Sequence, residues 1–210
     1  MELKVHDLIQ IRSENDLIYH TIKPDWVDGS IRRAPFVVLR RAHSEDDCIP
    51  IGIRGTNRDE RYAAFVHVND IVDMYTPEKI AQARDWIHCD RGIFSCLEQI
   101  KKLMDDKNID WGPVGSVGFE LVSKVPTVND KSDIDIIIRH TSQLTPVLAK
   151  EIMNELNQLP VSTDVQVETL EGSFSLQEYA FSKGEPILFK TKNGPLLKSV
   201  SKKERLNNLI

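Results

Sequence analysis

Cysteine is scarce in this chain of 210 residues, and the three that occur, Cys48, Cys89 and Cys96, include no CxxC pair. That leaves no zinc-ribbon or dithiol signature, and the odd count reads as free thiols in a reducing compartment. Long apolar runs are also missing. No stretch approaches the roughly 20 apolar residues that a transmembrane helix needs. The N-terminal segment is charged and has no signal-like core. A cytoplasmic location without a membrane partner is therefore expected. Positive charge is in deficit, with 27 Lys and Arg against 32 Asp and Glu for a net charge of -5. An acidic balance argues against nonspecific nucleic-acid binding, which depends on many cationic contacts to phosphate. Low-complexity tracts and internal repeats are absent as well.

What is present is an ordinary globular composition, 40% hydrophobic and 28% charged. A chain of this length buries a core without disulfides. The first part reads as β-rich: Pro35 to Leu39, Ile49 to Ile53 and Tyr62 to Val68 are strand-like runs. A helix is predicted to begin at Thr76, which suits an N-cap, with Pro77 at its first position and Ile80, Ala83 and Ile87 at helical spacing. A second helix is predicted over about Asp90 to Lys107, its apolar residues Phe94, Leu97, Ile100 and Leu103 recurring every three or four positions.

The remaining hundred residues alternate strand and helix. Val114 to Gly118 reads as a strand-to-helix turn, Ile134 to Ile138 as an apolar strand and Ala149 to Leu159 as an amphipathic helix. Asp164 to Glu168 alternates as a half-buried strand does, and Ser175 to Glu178 fits a capping box. Ile187 to Phe189 reads as the last strand, with a turn at Asn193-Gly194-Pro195. The expected fold class is α+β, with a mixed or antiparallel sheet and flanking helices preceded by a smaller β-rich domain. The expected division is residues 1–88 for substrate or partner recognition and residues 89–210 for catalysis, packed closely because no flexible linker separates them.

The chemistry concentrates in Ser132-Asp133-Ile134-Asp135-Ile136. Residues two apart on a strand point the same way, so Asp133 and Asp135 face together while the isoleucines face the core. Two adjacent carboxylates repel unless a cation lies between them. Magnesium suits such a pair, because it takes oxygen ligands from one or two carboxylates and completes its shell with phosphates and water. Upstream, Gly115-Ser116 at a helix start offers backbone N–H groups, a hydroxyl and the positive end of the helix dipole to an anion. A phosphate-binding turn followed by paired aspartates points to transfer at phosphorus, assisted by Mg²⁺ held on Asp133 and Asp135. Asp164 is the favoured third carboxylate, and Glu168 on the same strand face is the competing one. Arg54, Arg58 and Arg61, in a segment where Gly52, Gly55 and Asn57 permit a tight loop, are candidate substrate contacts. His140 reads as a surface residue, and Trp86 and Trp111 as core or interdomain residues.

The runs Gly112-Pro113-Val114-Gly115-Ser116-Val117-Gly118-Phe119-Glu120-Leu121 and Ser132-Asp133-Ile134-Asp135-Ile136 closely resemble the malonate decarboxylase holo-acyl-carrier-protein synthases, also called phosphoribosyl-dephospho-CoA transferases. His6-Asp7-Leu8, Ala34 to Val38, Pro50 to Gly55, Arg58, Arg61 to Ala64, Asp164 to Thr169 and Gly194-Pro195 extend the likeness along the chain. The interval from Ser116 to Asp133 is longer than in many general nucleotidyltransferases, and Lys124 stands where a small residue, most simply glycine, is expected. The resemblance implies a nucleotidyltransferase-like fold. It also implies transfer of a phosphoribosyl-dephospho-CoA group from 2′-(5″-triphosphoribosyl)-3′-dephospho-CoA to a serine of the apo acyl-carrier subunit of malonate decarboxylase, releasing pyrophosphate. Two other readings are weighed beside it: a magnesium-dependent nucleotidyltransferase with another donor, and a carrier-binding module without activity.

Overall fold

A computed structural model of the protein describes residues 2–44, 47–57, 59–129, 131–139 and 143–200. The chain builds two six-stranded sheets in succession. The first holds β1 (Leu8–Ile11), β2 (Leu17–Ile18), β3 (Phe36–Leu39), β4 (Cys48–Arg54), β5 (Arg61–His67) and β6 (Ile71–Tyr75), with helix α1 (Trp26–Arg33) between β2 and β3. Its order is β2-β5-β4-β3-β1-β6, and every pairing is antiparallel. One face of this sheet carries Ile9, Val37, Ile51, Ile53, Ala64 and Val66 and closes with Val27 and Ile31 of α1 into a small core of its own. Removing an Ile or Val side chain from water in this way is worth about 1.5–3 kcal/mol each.

Helix α2 (Pro77–Ala83) follows. Thr76 caps it by accepting from the backbone N–H of Lys79, as its sequence indicates. The helix ends sooner than the spacing of Ile80, Ala83 and Ile87 suggests: Arg84 turns left-handed at φ 55°, and Ile87 is left exposed. Trp86 is buried instead, with its ring centroid 6.4 Å from that of Trp111.

The second sheet contains β7 (Trp111–Pro113), β8 (Ile134–Arg139), β9 (Thr163–Glu168), β10 (Ser173–Ser175), β11 (Ile187–Thr191) and β12 (Gly194–Lys198). The helices around it are α3 (Gly92–Asp106), α4 (Gly115–Ser123), α5 (Pro146–Leu156) and α6 (Leu176–Phe181). Its order is β12-β11-β10-β9-β8-β7, and β8 and β9 are its parallel pair. The sheet is thus mixed and the class α+β. Phe94, Leu97 and Ile100 of α3 meet Ile134, Ile136 and Ile138 of β8 in the larger core, which also takes Ile152 of α5 and Leu176 of α6.

Ile187 to Phe189 is not the last strand. The chain turns at Lys192 and Asn193 and returns as β12, where Pro195 is tolerated because β12 is an edge strand. Lys124, where a small residue is expected, ends α4 in the left-handed conformation at φ 59°, the helix C-terminal geometry that glycine adopts most readily.

The two sheets are fastened to each other. Along β8, Asp135, Ile137 and Arg139 point away from the larger core, toward the first sheet. Arg139 donates to Glu78 at 2.7 Å, to the carbonyl of Val5 at 3.3 Å and to Asp7 at 3.4 Å. On β9, buried Glu168 accepts from Arg41 and stands 3.1 Å from His6 Nε2. Burial by itself would push the Glu168 carboxyl up, but the hydrogen bond and charge of His6 and those of Arg41 outweigh it and hold the group below its ordinary range.

Asp7 is fully buried, and burial pushes its carboxyl up to about 6, against the backbone N–H of Lys4 and the charge of Arg139, which lower it. A carboxyl raised in the folded state resists charging there. The folded protein therefore loses stability from this group as pH rises from about 4 through about 6, by up to about 3 kcal/mol. Asp7→Asn removes the titration. The stability of Asp7→Asn relative to the parent should climb between pH 4 and 6 and level off above, measured by urea unfolding at stepped pH. A difference constant across that range would contradict this account.

Candidate active site

The candidate site starts from β8. Its isoleucines at 134, 136 and 138 are buried in the larger core, which fixes the rotation of the strand and leaves Asp135 on the opposite face. Asp133 directly precedes the strand, and both aspartates are half-buried. The parallel register sets Asp135 beside Asp164 of β9, Ile137 beside Gln166 and Arg139 beside Glu168. Asp164 is exposed at the open end of the strand pair, whereas Glu168 lies four residues further along, consumed in the fastening to His6 and Arg41. Of the two competing acids, Asp164 is therefore the one that stands beside Asp135.

Gly115 closes against this strand. Its φ is +60°, and a Cβ there would collide with Oδ2 of Asp135. A glycine is needed on both counts, the backbone region and the room for the carboxylate. The backbone N–H of Val114 donates to the carbonyl of Asp135 at 2.9 Å, so the turn and the strand are joined directly. Ser116 is buried in the first turn of α4, and its carbonyl accepts from Thr127 Oγ1 at 2.9 Å.

The segment between α4 and β8 is held by Glu120. Its carboxylate accepts from the backbone N–H of Thr127 at 2.7 Å and of Val128 at 2.8 Å, and Arg91 pairs with its other oxygen. The residues leading to Asp133 are thereby tied to the helix that carries the Gly-Ser turn.

A cleft of about 550 Å³ opens between the sheets. Val114, Gly115, Asp135 and Gln166 line one side, and Arg54 and Arg61 of the first sheet line the other with Arg40, just after β3, and His6, just before β1. Volumes of this order hold small-molecule ligands. Of the residues singled out in the sequence, the cleft brings Gly115, Asp135, Arg54 and Arg61 together. Ser116, Asp133 and Asp164 are near it in the chain or in register but do not line it. Arg58 and His140 lie outside the described residues. Arg40, His6 and Gln166 are lining residues that pattern alone did not single out as site candidates. Their signal was the alternation that puts Arg40 on the face of Val38 and Gln166 on the face of Asp164.

Among the described residues, no three His, Cys, Asp or Glu side chains are grouped so as to hold a metal ion. Asp133, just before β8, and Asp135, on it, are oxygen donors of the kind that magnesium takes, one or two carboxylates at a time with phosphate and water completing its shell. The absence of a side chain at Gly115 leaves Asp135 Oδ2 the place that a Cβ would fill.

Comparison with known proteins gives a consistent result. Two family models match in succession, the phosphoribosyl-dephospho-CoA transferase MdcG N-terminal domain over residues 4–77 and the corresponding C-terminal domain over residues 79–201. A phosphoribosyl-dephospho-CoA transferase of Pseudomonas fluorescens (strain Pf0-1) is 35% identical over 157 residues, covering 75% of this chain and 75% of that protein. One of Klebsiella pneumoniae (strain 342) is 31% identical over 193 residues, covering 91% of this chain and 92% of its own length. No solved structure matches the chain.

Proposed function

The chain belongs to the phosphoribosyl-dephospho-CoA transferase family and is a transferase, and from that premise we propose that it moves the phosphoribosyl-dephospho-CoA group from 2′-(5″-triphosphoribosyl)-3′-dephospho-CoA to a serine hydroxyl on the apo acyl-carrier subunit of malonate decarboxylase. The observation that carries the reading is the contact of Gly115 with Asp135 inside a cleft that also receives arginines from the other sheet.

In this reading, the phosphorus nearest the ribose gains a bond to the serine oxygen and loses its bond to pyrophosphate. Asp133 and Asp135 would hold Mg²⁺, which when bound supplies positive charge to the phosphate oxygens. The backbone N–H groups at the start of α4 grip the leaving phosphates, and the dipole of that helix favours their charge. Asp164, beside Asp135 at the open end of the strands, orients the serine and receives its proton. Glu120 keeps the segment before Asp133 in place. Arg54 and Arg61 contact the donor or the carrier protein. Residues 1–88 serve recognition and residues 89–210 catalysis, in the cytoplasm. Among the described residues, no helix is long and apolar enough to cross a membrane.

Intact-mass spectrometry of the apo carrier subunit checks this, after incubation with the protein, Mg²⁺ and the donor and with Asp135→Ala in parallel. A mass increase equal to the phosphoribosyl-dephospho-CoA group is expected with the parent protein alone. An unmodified carrier, with donor intact and carrier folded, would send the search to other donors and acceptors.

A further inference from the structure

The first sheet gives the cleft a floor of unusual make-up. In the registers of β3, β4 and β5, Val38, Gly52 and Ala63 form one cross-strand row, and Arg54 faces Arg61 in an adjoining pair. Their neighbours Ile51, Ile53, Tyr62 and Ala64 are buried in the small core under the sheet. Two of the three residues in the row are the smallest available, so the sheet surface is low there. The Arg40 stem uses that space: a Cβ on Gly52 would stand 3.1 Å from Arg40 Cδ and 3.4 Å from its Cγ. Glycine at 52 lets Arg40 lie flat across the sheet.

The charge of these arginines is also distinctive. Arg12, Arg32, Arg41, Arg84, Arg91 and Arg139 each pair with an acidic side chain. Arg40 and Arg61 form no such pair among the described residues, although both line the cleft. Guanidinium groups keep their charge at any ordinary pH, and their fork matches phosphate oxygens in pairs. Among the described residues, Asp135 is the one acid in the lining of the cleft against three arginines, and that excess of positive charge favours an added anion. The opposite wall presents Gly115 and Asp135, assigned above to the reacting phosphates, and Leu8, Val38 and Phe119 supply apolar surface between. The cleft thus suits a ligand with two separate phosphate groups joined by a less polar part.

Resting on the proposed reaction, we infer that Arg40, with Arg54 and Arg61, binds the diphosphate bridge of the donor's dephospho-CoA part. The first sheet is accordingly a donor subsite and not the surface that docks the carrier protein.

Titration calorimetry of the full chain with dephospho-CoA, which lacks the reacting triphosphate, reads this subsite directly. The parent protein binds it, Arg40→Ala weakens binding about tenfold, and Arg40→Lys recovers part of the loss, because a point charge replaces the fork. Arg40 is exposed, so its removal leaves the cores intact. In the transfer assay the donor KM rises by a similar factor, the carrier KM is unmoved, and inhibition by pyrophosphate, which needs the Gly115 side alone, keeps its strength. No binding of dephospho-CoA by the parent, equal binding by Arg40→Ala, or a rise confined to the carrier KM would each overturn the assignment. A parent protein that binds dephospho-CoA through Arg40 yet modifies no carrier removes the proposed reaction and leaves the subsite standing.

Discussion

Asp135→Asn lowers the rate of carrier modification by about a thousandfold, the scale of loss when a preorganised electrostatic contribution to a transition state is removed. The substitution keeps the shape of the side chain and hence its packing against Gly115, and removes the charge alone. Global stability should remain within about 1 kcal/mol of the parent, since the half-buried side chain loses neither volume nor its backbone setting. The rate is read from the mass of the carrier over time and the stability from urea unfolding. A rate within tenfold of the parent, in a folded variant, would mean that Asp135 does not hold the metal, and the proposed site would have to be abandoned.

The second large effect is expected at Gly115, a residue with no functional group. An alanine there meets two obstacles. Its backbone must adopt φ +60°, which costs an L-residue about 1–2 kcal/mol. Its methyl group also occupies the place of Asp135 Oδ2, so either the carboxylate or the start of α4 must shift by about an ångström. Misplacement on that scale costs about a hundredfold in rate. Gly115→Ala should therefore show both a stability loss of that size and a hundredfold fall in transfer. Gly184→Ala controls for the backbone alone: its φ is +91° with nothing within 4 Å of the added methyl group, so it should lose stability and keep its activity. If the two variants transfer at the same rate, the contact between Gly115 and Asp135 carries no function.

Some of the site was legible before any coordinates because its information is local. The side on which Asp135 stands is declared by its neighbours Ile134 and Ile136, which the larger core buries. Gly115-Ser116 likewise needs only its neighbours to be read as a helix entry. The choice between Asp164 and Glu168 could not be made that way, because Glu168 is taken by His6 and Arg41, far off in the chain. Arg40 was one arginine among several until the register of three strands set it over Gly52. The missed elements have similar causes. Strand β1 carries Leu8, Ile9 and Ile11, buried on both faces, so no alternation shows. Helix α1 contains Gly29 and has no side-chain cap at its start. Gly194-Pro195 looks like the end of a strand and is the beginning of one.

Arg139 and Glu168 sit at the far ends of β8 and β9 from Asp133 and Asp164, and they reach Asp7, His6 and Arg41 in the other half and Glu78 at the seam. The family models divide the chain at residues 77 and 79, as if two interchangeable pieces had been joined. The fastening says otherwise. Half of a relative grafted on at that seam would bring its own residues to meet a fixed Arg139 and Glu168. Any mismatch would strand a buried charge, at several kcal/mol. A graft at this seam keeps its stability only where the incoming half carries matching acids and bases, so the two halves behave, in effect, as one part.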